Sequence, residues 1–214
     1  MRLPSPLYVI LDRSVAGSRS LDDLLDLVLA GGGRLVQLRE KTMPAVEMLP
    51  VARRLARRCR EAGALFIVND RADIAVAADA HGVHVGQDDM PAREARALLR
   101  PGMVLGVSTH DEDQAGAAVT AGADYVAVGS IFPTTSRVDF QLVGTDLIRR
   151  VRSEVPVPLV AIGGITADNA AEVIRAGADG VAVISAICAN RNPEAATRTL
   201  LERLHAARGP RPAP

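Results

Sequence analysis

Charged and polar residues gather in this chain just after short apolar runs, where they can do chemistry. The first group is Gln37-Leu38-Arg39-Glu40-Lys41. Alternation along a strand sends Gln37 and Arg39 to one side and leaves Lys41 at the loop. An amide, a guanidinium and an ammonium converging there suit a polyanion. The plainer reading pairs Arg39 and Glu40 with neighbouring charges. The second group is Asn69-Asp70-Arg71 with Gly86-Gln87-Asp88-Asp89. Two carboxylates on adjacent strand ends form a candidate site for a hard cation such as Mg²⁺. Such a cation takes one or two carboxylates and completes its shell with water and phosphate oxygens. The plainer reading makes Asp70, Asp88 and Asp89 helix caps.

Three further groups follow. Ser108-Thr109-His110 offers a hydroxyl to a phosphate. His110 has no carboxylate or nucleophile in sequence reach, and His84 sits within an apolar run as a strand histidine. Pro133-Thr134-Thr135-Ser136-Arg137 lies on the longest loop, Gly129 to Val143, and reads as a lid that hydrogen-bonds a ligand. Gly163-Gly164 and Ser185-Ala186 allow close backbone approach to a second anion.

These groups need a scaffold that brings eight loops to one end. Apolar runs recur at Leu7–Leu11, Leu35–Leu38, Leu65–Val68, Val83–Val85, Val104–Val107, Tyr125–Val128, Leu159–Ile162 and Val181–Ile184. Between them lie stretches of helical period, such as Leu21–Leu29, Ala45–Ala62, Asp111–Ala121 and Ala167–Ala176. Glycines end several of these helices, as in Ala121-Gly122-Ala123-Asp124 and Ala176-Gly177-Ala178-Asp179. Alternation of this kind implies a parallel sheet. A repeat of about 27 residues without a large insertion favours closure into a (β/α)₈ TIM barrel of a single domain. A doubly wound open sheet is the competing α/β arrangement. The expected domain spans 1–208, followed by a Pro-rich tail over 209–214 that is expected to fray.

Composition agrees. The 214 residues are 48% hydrophobic but only 2% aromatic, so branched aliphatics must fill the core. Net charge is zero, which argues against nucleic acid or an anionic membrane as a partner. The basic run Arg53, Arg54, Arg57, Arg58, Arg60 has helical spacing and reads as a solvated outer face. Cys59 and Cys188 have neither metal nor disulfide spacing, so a reducing cytoplasm is expected. The first apolar run is too short for a signal peptide or a membrane span. The sequence leaves room for a homo-oligomer.

The ordered string of strand-end motifs resembles the thiamine-phosphate synthase family, from Leu7-Tyr8-Val9-Ile10 to about Ile187. Gly82-Val83-His84-Val85-Gly86-Gln87-Asp88-Asp89, Gly106-Val107-Ser108 and Gly129-Ser130-Ile131-Phe132-Pro133-Thr134 carry it, together with the groups above. The resemblance implies two small-molecule substrates, a pyrimidine diphosphate and a thiazole phosphate, joined with release of pyrophosphate. Gln37, Leu38, Arg39, Glu40, Lys41, Asn69, Ser108 and Arg137 would contact the first. Thr134, Thr135, Ser136, Gly164, Ile184 and Ser185 would contact the second. Asp70 and Asp89 would hold Mg²⁺, and Lys41, Arg39 and Ser108 would be the catalytic residues. Two positions depart from the family pattern: Arg137 stands where lysine is usual, and Ser136 where threonine is common. The rival readings are a thiazole tautomerase with His110 as its base, a phosphosugar isomerase or epimerase, and a non-catalytic barrel that binds a phosphorylated metabolite.

Overall fold

A computed structural model of the chain describes residues 2–134 and 142–208. All eight apolar runs form strands: β1 (Leu7–Asp12), β2 (Leu35–Arg39), β3 (Leu65–Asn69), β4 (Gly82–Val85), β5 (Val104–Thr109), β6 (Tyr125–Val128), β7 (Leu159–Ile162) and β8 (Gly180–Val183). They pair in sequence order, all parallel, and β8 pairs with β1 to close the barrel. The open-sheet arrangement is thereby excluded. Helices α1 (Leu21–Ala30), α2 (Ala45–Glu61), α3 (Ala72–Ala77), α4 (Ala92–Leu98), α5 (Glu112–Thr120), α6 (Gly144–Glu154) and α7 (Ala170–Arg175) return the chain between strands. A short α8 (Ser185–Cys188) and a long α9 (Pro193–Arg208) follow β8.

Two apolar layers result. The larger lies between sheet and helices and includes Leu7, Leu24, Leu38, Leu55, Phe66, Val126 and Val173. The smaller fills the barrel interior with Tyr8, Ile10, Leu35, Ile67, Tyr125, Val160 and Ala182. Strand alternation produces this division: Leu7, Val9 and Leu11 face the helices, while Tyr8 and Ile10 face inward.

Some boundaries differ from the sequence reading. Helical period over Ala167–Ala176 gives a helix only from Ala170, because Asn169 is engaged locally. Its Oδ1 accepts from the Thr166 backbone N–H at 2.8 Å. Ile184 closes no strand; it is the N-cap of α8. The tail over 209–214 lies outside the described residues.

The basic run on α2 is a network of ion pairs. Arg54 holds Asp22 through two contacts of 2.8 Å, and Arg58 reaches both Asp22 and Asp26 on α1. Arg60 reaches Asp79 at 2.7 Å. Such pairs are largely solvated and screened. Arg58→Ala should therefore cost only about 0.5–1 kcal/mol in low salt, and less in high salt. Urea unfolding at two salt concentrations checks this. A salt-independent loss would mean that the arginine stem's packing, not its charge, does the stabilising.

Candidate functional site

The strand C-termini surround one cavity of about 680 Å³. That volume lies within the range of small-molecule sites. Ile10, Ala127, Ile162 and Ala182 form its apolar floor, and the polar groups stand around the rim. Arg39, Lys41, Asn69, Asp70, Asp88, Asp89, Ser108, Thr134, Gly164, Ile184 and Ser185 all line it, as does the buried Gln37. Leu38 and Glu40 do not share that cavity. Leu38 packs under the helices, on the opposite face of β2 from Gln37 and Arg39. Glu40 folds back on its own loop, accepting from the Thr42 and Met43 backbone N–H groups at 2.9 and 3.2 Å. Its other oxygen lies 3.0 Å from Arg13 Nε. Burial pushes the Glu40 carboxyl up, but the Thr42 and Met43 donors and the Arg13 charge hold it below the ordinary range. Thr135, Ser136 and Arg137 lie outside the described residues.

The cations are held by acids. Arg39 pairs with the buried Asp12 at the end of β1, which also accepts from the Ser14 hydroxyl at 2.6 Å. Lys41 pairs with Asp70. Asp70 sits in the left-handed backbone region, with φ of 61°. Aspartate tolerates that region better than most residues, at a cost of about 1–2 kcal/mol. The turn lets its N–H donate to the His84 carbonyl at 2.7 Å, tying the β3 end to β4. The capping alternative is overturned for Asp70: α3 starts from Arg71 with no side-chain cap. It is overturned for Asp88 and Asp89 too, because α4 starts from Pro91 with no side-chain cap. Asp89 instead accepts from the Gly86 N–H at 2.7 Å.

Asp70 and Asp89 sense each other. Burial pushes the Asp70 carboxyl above its ordinary value, and Asp89 adds to the push against the pull of Lys41. Burial acts on Asp89 in the same direction, but Asp70, the Gly86 N–H and the charge of Lys41 hold it low. Two half-buried acids this close cannot both ionise cheaply without further positive charge nearby.

At the opposite rim, β6 and β7 remain paired past their ends. Ile131 N–H donates to Ile162 O, and Phe132 N–H to Gly163 O, each at 3.0 Å. Gly163 and Gly164 then turn with φ of 104° and 62°. A Cβ on Gly164 would lie 2.3 Å from the Pro133 carbonyl, so only glycine lets the two loops meet. Asn169 Nδ2 donates to Gly164 O at 3.0 Å and fixes the turn.

Histidines 84 and 110 both line the cavity. His84 is buried and fully satisfied, with Nδ1 2.9 Å from the Tyr125 hydroxyl and Nε2 2.8 Å from Ser108 Oγ. Burial pushes it down to about 4, so it is neutral near pH 7. His110 Nδ1 lies 2.8 Å from the Gly129 carbonyl. The helix after it opens on Asp111, which caps the Gln114 N–H at 2.7 Å. Thr109 is buried and bonds the Ala127 carbonyl at 3.2 Å. Sequence reading missed Tyr8, which lines the cavity floor. Its signal was present: Tyr8, Ile10 and Asp12 alternate onto one face of β1.

A closed parallel barrel with cations, carboxylates and hydroxyls around one cavity at the strand ends is a (β/α)₈ barrel with a site of small-molecule size. The family of thiamine monophosphate synthases matches residues 7–187, and the chain belongs to it. Thiamine-phosphate synthase from Moorella thermoacetica is 48% identical over 95% of this chain and 97% of its own. The enzyme of the same name from Methanoculleus marisnigri is 46% identical over 94% and 96%. Among solved structures, thiamine phosphate pyrophosphorylase from Pyrococcus furiosus superposes with a TM-score of 0.87. It is 38% identical and covers 95% of this chain and 96% of that one.

Proposed function

We propose that this chain is a thiamine-phosphate synthase, a transferase that joins hydroxymethylpyrimidine diphosphate to hydroxyethylthiazole phosphate. A bond forms between the thiazole nitrogen and the pyrimidine's methylene carbon. The bond from that carbon to the diphosphate oxygen breaks, and pyrophosphate leaves. The observation that carries the reading is the Arg39, Lys41, Asp70 and Asp89 cluster facing the Gly163-Gly164 turn across one cavity.

The pyrimidine's amino group can stabilise a benzylic-type cation, so departure of pyrophosphate can lead. The protein then needs charge stabilisation and positioning in place of a strong base or nucleophile. Lys41 and Arg39 would receive the leaving diphosphate, and the Ser108 hydroxyl would donate to it. Gly164 backbone, Thr134 and Ser185 would hold the thiazole phosphate at the other rim. The apolar floor would keep water from the cation.

Asp70 and Asp89 fit a resident Mg²⁺. Their mutual strain is relieved by a divalent charge, and two carboxylates with phosphate oxygens make an ordinary Mg²⁺ shell. Among the described residues no three such side chains converge, which fits a cation that shares its shell with substrate. Bound there, it would neutralise charge on the departing diphosphate. The two thiols, both free and buried, fit a reducing cytoplasm. No helix among the described residues is long and apolar enough to cross a membrane.

Supplying both substrates with Mg²⁺ should yield pyrophosphate and thiamine phosphate in equal amounts. Absence of both products sinks the reading. The tautomerase alternative predicts proton exchange on a thiazole phosphate without pyrophosphate, and nothing in the relatives' names favours it.

A further inference from the structure

The polar groups inside the barrel form one unbroken chain. Gln37 Nε2 lies 2.6 Å from the Tyr8 hydroxyl, and the Tyr8 and Tyr125 hydroxyls lie 2.9 Å apart. Tyr125 then meets His84 Nδ1 at 2.9 Å, and His84 Nε2 meets Ser108 Oγ at 2.8 Å. The members come from β2, β1, β6, β4 and β5, so only barrel closure assembles them. Tyr8, Tyr125 and His84 are all buried.

Each tyrosine has one proton to give, and so does a neutral imidazole. The chain therefore has two self-consistent directions. With Gln37 donating, Tyr8 donates to Tyr125 and Tyr125 donates to Nδ1. His84 must then carry its proton on Nε2 and donate to Ser108. The Ser108 hydroxyl accepts, and its own proton stays available. In the reverse direction Ser108 donates to Nε2 and has no proton left for a ligand. The Gln37 amide, whose nitrogen faces Tyr8, selects the first direction.

We propose that this chain is a positioning device: Gln37 sets its direction, Tyr125 and His84 transmit it, and the Ser108 proton is thereby aimed at an anionic ligand group. The inference rests on the reading of Ser108 as a donor to the diphosphate. Tyr125 is the clean probe, since it is wholly buried and outside the cavity lining. Its phenyl analogue keeps the ring that stacks on His84 at 5.5 Å.

The direct test is the tautomer of His84, read from ¹⁵N shifts of histidine-labelled protein without ligand and assigned with His84→Asn. The wild type should show the Nε2–H form. Gln37→Glu puts an acceptor in place of the amide donor and should reverse the chain, moving the population toward Nδ1–H. Tyr125→Phe removes both the donor to Nδ1 and the acceptor that an Nδ1–H would need, so in its background Gln37→Glu should no longer shift the tautomer. In Tyr125→Phe, kcat should fall severalfold, since the Ser108 proton is no longer held in one direction, with KM for both substrates within about twofold. An Nδ1–H wild type overturns the proposal. So does an unchanged tautomer in Gln37→Glu, a shift of equal size in the Tyr125→Phe background, or full turnover in Tyr125→Phe. If the wild type itself releases no pyrophosphate, the functional reading fails, and the tautomer result alone decides the chain's direction.

Discussion

Asp70→Asn should lower kcat/KM by roughly 10²- to 10³-fold at limiting Mg²⁺, and part of that loss should return at saturating Mg²⁺. Three local facts set the size. The carboxyl pairs with Lys41, adjoins Asp89 and faces the cavity. Removing it would weaken the proposed Mg²⁺ site and free Lys41 from its partner. Asparagine is the sharper variant because it tolerates the left-handed backbone at this position almost as well as aspartate. Alanine would mix a loss of charge with a backbone cost of about 1–2 kcal/mol. Steady-state kinetics across a Mg²⁺ titration make the measurement. Asp73→Asn is the control, since Asp73 pairs with Arg71 outside the cavity. Near-normal turnover of Asp70→Asn at limiting Mg²⁺ would remove this aspartate from the metal site.

The second large effect is expected at Gly106→Ala. A Cβ there would lie 2.1 Å from Tyr125 Cζ, 2.2 Å from its hydroxyl and 2.5 Å from His84 Nδ1. Neither ring is a free side-chain end, because both are packed and hydrogen-bonded. Overpacking at such a point should cost about 3 kcal/mol. For a chain of this size that is a fall in Tm of roughly 6–12 °C. Turnover should fall as well, since the added methyl sits where Tyr125 meets His84. Calorimetry and the pyrophosphate assay check both halves. An unchanged Tm would mean that the barrel can widen locally, contrary to the close packing described for its interior.

These two positions also mark what sequence reveals and what it hides. All eight strands were legible, because a strand buried on both faces must be a continuous apolar run between polar loops. The cavity's charged rim was legible too, since alternation placed Gln37 and Arg39 on one side of their strand. Asp70 was readable as a candidate ligand, but its left-handed turn was not, as neighbouring residues give no sign of it. Helix α8 escaped notice because four residues make barely one turn, too few for a helical period to repeat. The same alternation that grouped Gln37 with Arg39 turns Leu38 away, and Glu40 is claimed by Thr42, Met43 and Arg13. The hydrogen-bond chain was hidden for a different reason. Tyr8 and Tyr125 are 117 residues apart, and each alone is an ordinary strand residue. Their meeting depends on closure and on the absence of a side chain at Gly106.

The same pair makes the barrel floor optically distinct. The sequence has no tryptophan and two tyrosines in all, and those two are hydrogen-bonded to each other with their rings 5.9 Å apart. Near-ultraviolet absorbance and emission from this protein therefore come almost wholly from the base of the cavity, at Tyr8, and the layer just beneath it, at Tyr125. No label is required: a ligand settling on the floor, or a reversal of the proton order beneath it, changes the environment of the chromophores that dominate the spectrum.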